Sequence, residues 1–164
     1  MKKWIFLIIF GVAFGFVEAA VAFYLRQLLN YHSGYLQDGY SVILNLGLIE
    51  FINPATPILQ NTRLTYIEMT REFSTFIMLL AVSYLSADRF KKRLGAFLIT
   101  FAVWDFYYYI FLYLLSGWPK NIFDIDVYFL IPVPWVGPVI TPLVLSVLIF
   151  LGGSYLYLKK VPEK

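Results

Sequence analysis

Leu94-Gly-Ala-Phe-Leu-Ile-Thr-Phe-Ala-Val-Trp-Asp-Phe-Tyr-Tyr-Tyr-Ile-Phe-Leu-Tyr-Leu-Leu115 is an apolar run with one charge, Asp105, near its centre. The hydrocarbon core of a bilayer is about 30 Å thick and each helical residue rises about 1.5 Å, so roughly 20 mostly apolar residues cross it. This segment meets that length. Outward from it, Trp4 to Leu25, Leu64 to Leu85 and Val136 to Leu158 read the same way. The 164 residues are 60% hydrophobic and only 14% charged, whereas a soluble domain carries about 25% charge, so lipid must solvate much of the surface. The expected fold is all-α: a polytopic membrane protein with four transmembrane helices, about 4–25, 64–85, 94–115 and 136–158, forming one domain over 1–164.

Other classes fall away on composition. A net charge of +3 on so apolar a chain is no phosphate-binding footprint, which excludes nucleic acid as a partner. Without cysteine there are no disulfides, thiolate nucleophiles or Cys-ligated metals, and one histidine, His32, excludes bis-His haem within the chain. Met1-Lys2-Lys3, the apolar run and Ala19, Ala20 and Ala22 also match a signal peptide. The run continues through Leu25, beyond the usual length of such a core, and is read as a retained helix.

Lysine and arginine near the span ends give the orientation. Lys2, Lys3, Arg89, Lys91, Lys92, Arg93, Lys159, Lys160 and Lys164 share one side, against Arg26, Arg63 and Lys120 on the other. Both termini are therefore expected in the cytoplasm, in a bacterial inner membrane. The first outer loop, 26–63, holds Ser41 to Ile52, an apolar run too short to span and read as an interfacial or re-entrant helix stopped by Asn53-Pro54. The third span is expected to stop at Ser116-Gly117, a glycine cap followed by Trp118-Pro119. The proline-rich outer segment, 124–142, carries Pro132, Pro134, Pro138 and Pro142 and cannot form a regular helix throughout. It is expected either to line a cavity in the outer half of the bundle, with Asp124 and Asp126 at its mouth, or to form an interfacial loop anchored by Trp118, Tyr128 and Trp135, with Pro138 in the first turn of the fourth helix and Pro142 kinking that helix.

The acids carry the functional signal. Glu18, Glu68, Glu72 and Asp105 fall inside apolar spans, where a charge costs at least about 2.5 to 3.5 kcal/mol and needs a partner, a proton or water. Counted from the span midpoints at about 1.5 Å per residue, all four lie between roughly the bilayer centre and about 10 Å outside it. Thr65, Glu68, Glu72 and Thr75 form one helical stripe, Asp105 shares a face with Tyr108 and Tyr109, and Gly11 and Gly15 give a close-packing groove below Glu18. Arg71 is the one base expected at this depth. One reading is a buried ion network that fixes helix register. Four acids and one base do not balance, however, so either some acids hold protons or a cation is bound. A metal on Glu68, Glu72 and Asp105 would be oxygen-ligated, which suits Mg, Ca or Mn. Arg71, Tyr108, Tyr109, Trp104, Asp124 and Asp126 are the candidate ligand-binding residues, and His32 is read as a loop histidine.

Trp104-Asp105 with Tyr108-Tyr109, Gly117-Trp118-Pro119 and Pro132-Val133-Pro134-Trp135-Val136-Gly137-Pro138 together resemble the signature of an uncharacterised family of small bacterial four-helix membrane proteins, with Arg71-Glu72 a further part. The resemblance covers roughly the second half of the chain and implies a fold but no activity. The four helices and a glutamate in the first are also similar to small multidrug exporters. The longer outer loop, the extra acids and the strong charge bias depart from that pattern. Three functions are thus expected to compete: a carboxylate-lined site open to the outer side that binds a cation or protons and acts on a lipid- or quinone-like ligand; a structural or assembly subunit; and a small carrier. The partner is the lipid bilayer, and outward-facing aromatics leave room for a second copy or other membrane subunits.

Overall fold

Residues 2–29, 39–59 and 61–159 are described by a computed structural model. They form α1 (Lys2–Leu28), β1 (Tyr40–Asn45), β2 (Glu50–Pro54), α2 (Thr62–Ser86), α3 (Phe90–Ser116), β3 (Ile125–Phe129), β4 (Trp135–Pro138) and α4 (Ile140–Leu158). The four strands make one antiparallel sheet in the order β1-β2-β4-β3. The all-α expectation is therefore wrong, and both errors fall in the segments between α1 and α2 and between α3 and α4. His32 lies outside the described residues.

The expected helix over 41–52 is the β1–β2 hairpin. Asn45 accepts a hydrogen bond from the Gly47 amide at 2.7 Å and Leu46 donates to the Ile49 carbonyl at 2.9 Å, closing a tight turn. Gly47 sits at φ +87°, a left-handed conformation open to glycine and strained for most other residues. The proline-rich segment is the β3–β4 hairpin, with Pro132 and Pro134 in its turn and Pro138 at the end of β4, positions where a missing amide leaves no ladder bond unmade. Helix α4 accordingly begins at Ile140 rather than near 136. Pro142, not Pro138, occupies its first turn, where the amide has no intrahelical acceptor.

Three helices, α1, α3 and α4, are long and apolar enough to cross a membrane. The expectation of four such spans is not met. Helix α2 is as long, but Arg63, Glu68, Arg71 and Glu72 make it too polar. It turns back from α3 across Ala87 to Arg89.

Helix α3 is the hub. A Cβ on Gly11 would lie 2.8 Å from Val103, and one on Gly15 would lie 2.9 Å from the Trp104 carbonyl, so α1 rests directly on α3. Gly95 and Gly153 do the same between α3 and α4. At the basic end of the bundle Leu7, Ala87, Ala96, Ile99 and Tyr157 pack together, and the Trp4 indole donates to Ser154 at 3.4 Å. The start of α1, the α2–α3 link and the end of α4 therefore lie together, and the sheet covers the opposite end. There α3 stops at Ser116 with Gly117 in the left-handed region, its amide donating to the Tyr113 carbonyl.

Candidate functional site

Beneath the sheet lies a cavity with ≈ 80 Å³ open to the centres of water molecules. Helix α1 contributes Glu18, Ala22 and Leu25; α2 contributes Glu68, Arg71, Glu72 and Thr75; α3 contributes Trp104, Asp105, Tyr108 and Tyr109. Strand β3 and its extension, Asp126 to Leu130, form the roof with Ile58 and Leu59. The stripe spacing on α2 and the glycine groove on α1 bring these side chains to one depth.

Each carboxylate has its own partner. Arg71 donates to both Glu68 oxygens, at 2.9 Å from Nε and 2.5 Å from Nη2, and forms an ion pair with Glu18 through Nη1. Glu18 also accepts from the Thr75 hydroxyl at 3.2 Å. This bidentate geometry is the favourable one for an arginine and a carboxylate. Glu72 accepts from the Leu130 amide at 2.9 Å, and Asp105 from the Ser146 hydroxyl of α4 at 2.7 Å. Asp126 accepts from the Tyr109 hydroxyl at 3.0 Å and lies 3.5 Å from Arg26, whose guanidinium stacks over Trp118 at 4.0 Å. Burial pushes the Asp126 carboxyl above its ordinary value, opposed by Arg26 and the Tyr109 bond.

Of the ten residues singled out from sequence, nine line this cavity: Glu18, Glu68, Arg71, Glu72, Trp104, Asp105, Tyr108, Tyr109 and Asp126. Asp124 does not. Its carboxylate accepts from the Lys120 and Asn121 amides and holds the turn before β3. The metal set also fails to form: among the described residues no three His, Cys, Asp or Glu side chains are placed to hold a metal ion. The reason is geometric, since Glu68 is turned to Arg71, Glu72 to the roof and Asp105 to α4.

Sequence reasoning missed Arg26 and Ser146. Arg26 counted only as a loop charge, although it stands one turn beyond Ala22 on the same helix. Ser146 is a lone hydroxyl in an apolar helix, and its being fully buried at 1% exposure follows from its bond to Asp105. Five carboxylates thus meet two guanidiniums, and among the described residues neither Glu72 nor Asp105 forms a salt bridge. The Trp104 indole N–H, in a residue 6% exposed, is buried without a protein acceptor. The chain matches no protein-family model, no curated protein and no solved structure.

Proposed function

We propose that this is an integral protein of a bacterial inner membrane, with its basic end cytoplasmic and its cavity a ligand site in the outer half of the bilayer. The observation that carries the reading is the pair Glu72 and Asp105, two carboxylates on one cavity that form no salt bridge among the described residues. At membrane depth such groups hold protons or meet a cationic ligand group. That no three acids cluster among the described residues supports protons over a divalent ion. Trp104, Phe129, Tyr108 and Tyr128 wall the cavity with rings, which suits an organic ligand of lipid or quinone type, and a protonated Glu72 or Asp105 would act on it as a general acid.

Thermal unfolding in detergent with decylubiquinone as probe tests this. A saturable rise in Tm is expected, corresponding to about 2.7 kcal/mol at a hundredfold excess over Kd, and it should be lost in Glu72→Gln and Asp105→Asn. No rise, with both variants as stable as the parent, would favour a second reading, a structural or assembly subunit. That reading is supported by the Glu18–Arg71–Glu68 network, which ties α1 to α2. A carrier has less support, because Ser83 and Ser86, toward the basic end, donate to carbonyls of their own helix.

A further inference from the structure

Among the described residues, apolar side chains stand over the cavity on the side of the sheet. Ile58, Leu59 and Leu130 form a buried apolar cluster with Leu29, Leu64, Met69 and Val127, which packs the end of α1 and the start of α2 against the roof. Toward the basic end Phe14, Leu79 and Trp104 close the same two helices together with α3. Between these plugs, α1 and α2 do not pack backbone to backbone, because the α1 glycines are spent on α3 and α2 rests on α3 as well. What spans the gap is side chain alone: Glu18 to Arg71 and to Thr75. The Arg71 side chain is 29% exposed while that of Glu18 is 8% exposed, and Arg71 borders both the cavity and an outward groove with Tyr66, Ile67, Thr70 and Ser74. The gap therefore faces sideways, in the outer half of α2.

From this geometry we infer that the ligand is a membrane-dissolved amphiphile with a hydroxylated head, which enters laterally between α1 and α2 past the Glu18–Arg71 pair. The inference rests on the ligand-site reading and gives it a source and a head-group chemistry. A hydroxyl oxygen, with two lone pairs, accepts from a protonated Glu72 or Asp105 and from the Trp104 indole, so one functional group answers both unmet needs of the cavity. The volume admits a head of a few heavy atoms and leaves the tail in the bilayer. Arg71 can swing outward without losing its bonds to Glu68, one turn away on the same helix, so only the link to α1 has to break.

The chain has no cysteine, so Ala22→Cys places a single thiol on the cavity wall. In phosphatidylcholine vesicles N-dodecylmaleimide is expected to label it at least tenfold faster than a sulfonated maleimide, with the order reversed at Phe123→Cys on the outer loop. Glu18→Gln, which weakens the latch, should raise the dodecylmaleimide rate several-fold. Monododecanoylglycerol should protect the thiol, and dodecane should not. Fast labelling by the sulfonated reagent would overturn lateral entry while leaving the cavity as a site. Labelling by neither reagent would overturn both. Equal protection by dodecane would overturn the hydroxylated head.

Discussion

Asp126 shows how a buried carboxylate in the roof is held by unlike neighbours. It is 3% exposed, accepts from Tyr109 and faces Arg26, yet burial outweighs both and its carboxyl titrates above the ordinary range. The sign of the linkage follows. The folded state binds this proton more tightly than the unfolded state, so the contribution is fully present below the unfolded value and is lost as pH rises through the folded one. Thermal midpoints in detergent, followed from about pH 3.5 to 7, should therefore carry a downward component from Asp126. Asp126→Asn keeps an acceptor for Tyr109 and carries no titrating proton, so that component should flatten. An unchanged slope in the variant would place the titration elsewhere. Tyr128, on the same strand, is pushed up to about 12 by burial and donates to the Pro138 carbonyl at 2.7 Å, so it stays neutral throughout that range.

Helix contacts in this bundle depend on where a glycine has a neighbour. A Cβ on Gly95 would stand 2.7 Å from the Tyr157 amide nitrogen and 2.8 Å from the Gly153 carbonyl oxygen, both backbone atoms that cannot rotate away. Gly152, one residue from Gly153, has nothing within 4 Å. Gly95→Ala is expected to lower stability by about 1 to 3 kcal/mol through overpacking, whereas Gly152→Ala should be neutral or gain up to about 1 kcal/mol of helix propensity. Chemical unfolding of both variants in the same detergent checks the pair, and equal effects would mean that α3 and α4 are not in this register. The same element scale shows what was legible. Long apolar runs announced α1, α3 and α4 because only a helix satisfies its backbone across so many residues in lipid. The short run 41–52 satisfied both a helix and a strand reading by length, and the prolines of 124–142 excluded a regular helix without pointing to a strand. The deciding signals were local: Asn45 and Gly47 as a turn, and prolines spaced so that none falls within β3 and Pro138 comes at the end of its ladder with β4. Acids in apolar spans were equally legible, since each demands a partner. Their partners were not, because the Leu130 amide and Ser146 reach Glu72 and Asp105 only once the strand and α4 are placed.

At the scale of the molecule, charge and architecture are segregated along the bundle axis. Lys3, Arg89, Lys91, Lys92, Arg93 and Lys159 gather at the end where Trp4, Ala87 and Tyr157 pack, and Arg93 is fixed there by donating to the Ala87 carbonyl at 2.8 Å and covering the Tyr84 ring at 3.6 Å. The sheet and the cavity's acids occupy the other half. Positive residues beside spans tend to remain on the cytoplasmic side during insertion, so the proposed orientation puts the roof outside. Single cysteines read it directly. In intact spheroplasts a membrane-impermeant maleimide should label Phe123→Cys, in the loop before β3, and should leave Asp88→Cys, in the α2–α3 link, unlabelled until the membrane is permeabilised. The reverse pattern would turn the cavity toward the cytoplasm. Labelling of both sites in intact cells would require two orientations of the chain, which the one-sided placement of its lysines and arginines opposes.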